Sequence, residues 1–278
     1  MMDFIMDALI DSIKLLPYLF VTFVVLELME HKMSHKSEEV LKNNKKYGPI
    51  LGGILGALPQ CGFSVVASNL FSGRVITIGT LVAVYLSTSD EMLPIMISNK
   101  TDINVLLGII LFKIIIGIIV GIIVDLIIKS NDKEKHIHEM CVEEHCSCDD
   151  HGILLSSIIH TLKIGFFILI ANLLINLIIF KVGEDNLSNL MINKNIFTYF
   201  IASLVGLIPN CASSVIITEL YLSKIITLGT LMSGLLTGSG LGILLLFKTN
   251  KKLKENISIL SIVYFTGVII GILVDLFI

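Results

Sequence analysis

The chain has 278 residues, 54% of them apolar and 15% charged, with a mean hydropathy of +0.90 and a formal net charge of −3. That balance excludes an ordinary soluble domain, and the slightly negative charge gives no footing for nucleic-acid binding. Five cysteines, two in apolar segments and three in a central polar stretch, do not make the framework of a disulfide-stapled secreted domain.

Eight apolar segments follow one another, each near the roughly 20 residues that cross a bilayer. They cover about 4–29, 48–71, 75–98 and 103–128, then 153–180, 196–221, 225–247 and 257–278. The first is long, starts among acidic residues and lacks a small-residue cleavage site, so it reads as a span rather than a signal peptide. The division is therefore a membrane repeat over 1–128, a polar linker over 129–152 and a second membrane repeat over 153–278. The expected fold is an all-α polytopic membrane protein.

The halves repeat at an offset of 150 positions. Leu58-Pro59-Gln60-Cys61-Gly62-Phe63-Ser64-Val65 matches Ile208-Pro209-Asn210-Cys211-Ala212-Ser213-Ser214-Val215. Ile76-Thr77-Ile78-Gly79-Thr80-Leu81 matches Ile226-Thr227-Leu228-Gly229-Thr230-Leu231, and Gly121 to Asp125 matches Gly271 to Asp275. Pro59 and Pro209 each interrupt the second segment of a half, because proline removes a backbone donor. The third segments are interrupted as well, at Ser87 to Glu91 and at Thr237 to Gly240. Backbone broken at membrane depth is tolerated where it faces protein or a wet cavity. A single proline could be a simple kink; two at matched positions, each followed by an amide and a thiol, point to a site.

Topology turns on whether 48–71 and 196–221 cross or turn back. If every segment crosses, the halves are parallel and Lys and Arg divide twelve to five between the two faces; if the broken segments are re-entrant, the halves are inverted and the division is thirteen to four. Both obey the positive-inside rule. Inversion is the expectation, because paired broken helices that meet at the midplane are a recurrent transporter design. It places the linker in the cytoplasm, whereas parallel halves place it outside.

Substrate-binding candidates are Gln60, Cys61 and Ser64 with their equivalents Asn210, Cys211 and Ser214, plus Ser87, Thr88, Ser89, Asp90 and Glu91. Thiolates suit soft metals and trivalent arsenic-like centres, and amides and hydroxyls offer oxygens. Adjacent carboxylates at membrane depth are costly and so read as functional, either binding a cation or carrying a proton. The second repeat has Gly240 and Leu241 in place of Asp90 and Glu91, so the charge is supplied by one half. Asn69 and Glu219 are repeat equivalents near segment ends. Asp125 and Asp275 are expected near the interface, and Gly117/Gly121 and Gly267/Gly271 are expected to let helices approach closely.

The linker concentrates His136, His138, Cys141, His145, Cys146, Cys148 and His151 among acidic residues. These are zinc- or copper-type ligands, yet their spacing fits no single closed zinc motif, and a metal-capturing tract is the reading. No other cofactor is expected.

These motifs resemble a family of bacterial and archaeal ten-helix heavy-metal exporters, labelled arsenic efflux proteins or manganese transporters. The resemblance rests on Pro59 to Ser64, on Gly73-Arg74-Val75-Ile76-Thr77-Ile78-Gly79-Thr80-Leu81, on Ser87 to Pro94 and on Pro209-Asn210-Cys211. It implies a secondary transporter that exports a metal or metalloid ion across the cell membrane. Counting each broken segment as two half-helices gives the family's ten. No Gly-x-x-x-x-Gly-Lys-Ser/Thr loop is present, so the chain reads as no nucleotide-driven enzyme. The expected partners are the lipid bilayer and a small inorganic ion, with no nucleic acid; oligomeric state, a homo-oligomer included, stays open. Two rivals also stay open: transport of an organic anion, and a membrane thiol oxidoreductase using Cys61 and Cys211.

Overall fold

The computed structural model describes residues 47–58, 62–89, 92–128 and 196–277, and scattered positions within 16–24 and 157–173. All the regular structure among the described residues is helical. In the first half the helices are α1 (Gly48–Gly56), α2 (Gly62–Ser72), α3 (Ile78–Ser87), α4 (Met92–Ser98) and α5 (Ile103–Ile127). In the second half they are α6 (Phe197–Gly206), α7 (Cys211–Leu222), α8 (Leu228–Thr237), α9 (Gly242–Thr249) and α10 (Leu253–Phe277). At 1.5 Å per residue, α5 and α10 are about 37 Å long, enough to cross a bilayer. The remaining helices are too short to cross alone, although α8 and α9 together cover Leu228–Thr249 and reach spanning length.

Local chemistry sets these boundaries. Thr77 caps α3 by accepting from the Thr80 amide at 3.1 Å, and Thr227 caps α8 in the same way at 3.2 Å. α2 and α7 end in one common turn: the Val75 amide donates to Leu70 and the Ile225 amide to Leu220, both at 2.9 Å. Arg74 and Lys224 occupy the left-handed position of that turn, at φ 60° and 59°. A side chain there costs about 1–2 kcal/mol relative to the ordinary helical region.

Each half packs its equivalent elements alike. α3 is buried from Gly79 to Ser87 and α8 from Gly229 to Thr237, as expected of helices that are apolar or small all round. Along α1, Gly52 lies against Thr80 and Val84 and Gly56 against Val84 and Ser87, so α1 and α3 run side by side in the same direction. α5 runs against α3: Gly79 neighbours Gly121 and Asp125, whereas Ser87 neighbours Gly117. In the second half, Gly206 meets Gly234 and Thr237, and Gly229 meets Gly271 and Asp275. The outer faces of α5 and α10, including Leu111, Ile115, Ile119, Ile269 and Leu273, are exposed and apolar, the face a lipid bilayer covers.

The halves are joined by their shorter helices. α2 lies along α9, and α7 packs on α4. The Ser68 hydroxyl reaches the Gly242 carbonyl at 2.8 Å, Ser72 meets Thr249 at 2.6 Å, and Arg74 pairs with Glu255 at 2.8 Å. These contacts advance together along both chains, so α2 and α9 are parallel.

Candidate functional site

The interruptions in α3–α4, α6–α7 and α8–α9 converge. Thr88 and Ser89 follow α3, Asn210 precedes α7, Ser213 and Ser214 lie in its first turn, and Gly238 and Gly240 follow α8. With Leu235 they line one buried polar cavity of about 10 Å³, the room of a single water or small ion. Thr88 and Ser89 are almost fully enclosed, at 2% and 1% exposure.

The donors of this cleft are largely spent on backbone. Thr88 donates to Val84 at 2.7 Å, Ser213 to Asn210 at 2.8 Å and Ser89 to Ser87 at 3.2 Å. A hydroxyl that gives its hydrogen to a carbonyl keeps its lone pairs as acceptors. The Asn210 side chain accepts from the Ala212 amide at 3.1 Å and so caps α7. Gly240 has φ 54°, a backbone conformation that suits glycine.

Lys113 supplies charge beside this cleft and is the residue that motif reading misses. It lies ten residues into α5 and is 0% exposed. Its Nζ donates to the Leu235 carbonyl at 2.8 Å and, by a short hydrogen bond, to the Thr88 carbonyl. A signal was available: Lys113 stands alone among cations between Thr101 and Ile128, and an ionisable residue inside an apolar span is functional by default. Ser213 was also missed, because its repeat equivalent is Phe63.

The other sequence candidates distribute as follows. Thr88, Ser89, Asn210 and Ser214 meet at the cleft. Ser87 turns its hydroxyl back to Ala83 at 2.8 Å. Ser64 is buried on the α2–α9 seam against Gly242, and its carbonyl accepts from Ser68 at 2.6 Å. Cys211 is the first residue of α7. Gln60, Cys61, Asp90 and Glu91 lie outside the described residues, as do the linker positions His136, His138, Cys141, His145, Cys146, Cys148 and His151. Among the described residues, no three His, Cys, Asp or Glu side chains gather to hold a metal.

Asp125 and Asp275 do more than sit at an interface. Asp125 accepts from the Thr77 hydroxyl at 2.6 Å and from the Gly79 amide at 2.8 Å. Asp275 accepts from the Gly229 amide at 2.7 Å, from Tyr199 at 2.8 Å and, at short range, from Thr227. Each carboxylate thus holds the amino end of a neighbouring buried helix, where the helix dipole favours negative charge. Asn69 is buried at 3% exposure, and its Nδ2 has no hydrogen-bond partner among the described residues, while Glu219 is exposed.

A multi-pass helical protein with interrupted helices meeting around an enclosed polar cleft has the build of a membrane transporter. The chain belongs to the family described as "Putative, 10TM heavy-metal exporter", which it matches over residues 1–185 and 177–278. No curated protein and no solved structure matches it.

Proposed function

We propose that this chain is a secondary transporter that exports a heavy-metal or metalloid ion, of manganese or arsenic type, across the cell membrane. The observation that carries the reading is the enclosed cleft of Thr88, Ser89, Asn210, Ser213 and Ser214, formed by broken helices of both halves. Its hydroxyl oxygens are left as acceptors, and its size suits an ion rather than an organic anion. Cys211 opens one of its helices, and Gln60, Cys61, Asp90 and Glu91 complete the set on the chain segments that adjoin it. The seven His and Cys residues of the linker act separately, as a metal-capturing tract between two membrane repeats, 1–128 and 153–278.

The halves are inverted in this reading. α1 and α3 run in the same direction and start at one level, so α2 between them returns to that level, and 48–71 is a re-entrant hairpin. α2 runs parallel to α9, so the carboxyl end of α9 lies at the face where α3 begins. α8 therefore starts at the opposite face. The face shared by Gly48, Arg74, Ile127 and Lys251 carries thirteen of the Lys and Arg residues, against four on the other, and is cytoplasmic. The linker shares that side.

Element accumulation in cells lacking and overproducing the chain tests the substrate, across manganese, zinc, iron, copper and arsenite. Lower accumulation of one element on overproduction names it, and no change in any removes the exporter reading. Replacing Cys61 and Cys211 together by serine is expected to abolish that difference; an undiminished difference would dismiss the thiols.

A further inference from the structure

Lys113 bridges two helix ends that belong to different halves. Thr88 is the carboxyl cap of α3, and Leu235 lies in the last turn of α8, so both carbonyls belong to the group that a helix leaves without an intrahelical partner. Each helix end carries about −0.5 of an elementary charge, so two together balance about one cation. The ammonium of Lys113 meets both. The repeat equivalent of Lys113 is Val263, also fully buried, so the pair of ends receives one built-in cation and not two.

In inverted-repeat transporters the carboxyl ends of half-helices and unwound carbonyls are where a free coupling cation is held. We propose that Lys113 is a tethered cation in that position. It locks the carboxyl ends of α3 and α8 together and makes the transporter independent of sodium. A lysine at the centre of a span costs about 2.5–3.5 kcal/mol on insertion, a cost not retained for packing alone when valine serves at the equivalent place. The inference rests on the transporter reading above for its meaning, but its test does not require that any substrate be known.

The test is thermal unfolding of the purified full chain in detergent, in sodium chloride or in the chloride of the bulky cation N-methylglucamine. The wild-type midpoint is expected to be the same in both salts. Lys113→Ala opens a space facing the two carbonyls, and its midpoint is expected to fall, then recover by about 3 °C or more with sodium or methylammonium. Lys113→Met fills the space without charge and is expected to fall without recovery. A wild-type midpoint that rises with sodium overturns the proposal, even if neither variant folds. Equal behaviour of Lys113→Ala in all salts overturns it too. Failure of the metal-accumulation test with these shifts intact would sink the exporter reading and leave the tethered cation standing.

Discussion

Asp125 and Asp275 show how one side chain sets the position of a whole broken helix. Each accepts from a Thr hydroxyl and from a backbone amide in the first turn of α3 or α8, the two helices whose far ends meet Lys113. Removing the charge while keeping the shape isolates this role. Asp125→Asn is expected to destabilise the protein by about 1–2 kcal/mol, in the range of a lost charged cap. Asp275→Asn is expected to cost more, because Tyr199 also donates to that carboxylate. Thermal midpoints of the two variants in the same detergent check both the size and the order. Equal midpoints to wild type would mean that the carboxylates are incidental to the fold.

Among the elements, close approach of α5 to α3 and of α10 to α8 fixes the scaffold. A Cβ on Gly117 would stand 2.8 Å from the Ala83 carbonyl, and one on Gly267 equally near the Ser233 carbonyl, with backbone on the receiving side in both cases. Gly117→Val and Gly267→Val are therefore each expected to cost about 1–3 kcal/mol through forced separation. Gly108, with nothing within 4 Å, is the internal control: Gly108→Ala is expected to be neutral or mildly stabilising. Much of this layer was legible in the sequence. The offset of 150 matches α3 with α8 and α5 with α10 residue for residue, because repeated caps and glycines make repeated helices. The breaks were legible for the same reason, since Pro59, Pro209 and the Ser-Thr-Ser and Gly-Ser-Gly runs leave helical hydrogen bonding no way to continue. Lys113 was not, because its partners are carbonyls distant in sequence and backbone oxygens carry no residue identity. Ser64 went astray for a related reason. It shares the motif position of Ser214, yet the first-half helix that carries it lies against Gly242, so one motif serves a cleft in one half and a seam in the other.

On the scale of the whole molecule the two inter-half seams are unequal. Along α2 and α9 the contacts are polar throughout, from Ser68 with Gly242 through Ser72 with Thr249 to Arg74 with Glu255. At the corresponding positions of α7 and the segment from α4 into α5, Leu222 replaces Ser72, Asn99 replaces Thr249 and Val105 replaces Glu255. Partly buried hydrogen bonds and an ion pair contribute roughly 1 kcal/mol each, and they are lost as a group if the helices part. A transporter that alternates between two open faces must open one seam at a time, and the polar seam is the one this structure holds shut. Joining it covalently then stops the cycle. In Ser72→Cys with Thr249→Cys, whose hydroxyls stand 2.6 Å apart, mild oxidation is expected to remove two hydrogens by intact mass. Oxidation should also abolish the accumulation difference caused by overproduction, and reduction should restore it. The single variants, treated alike, control for the native cysteines. A cross-linked protein that still lowers metal accumulation would show that α2 and α9 stay together throughout the cycle, and the motion would then belong to α7 and α4.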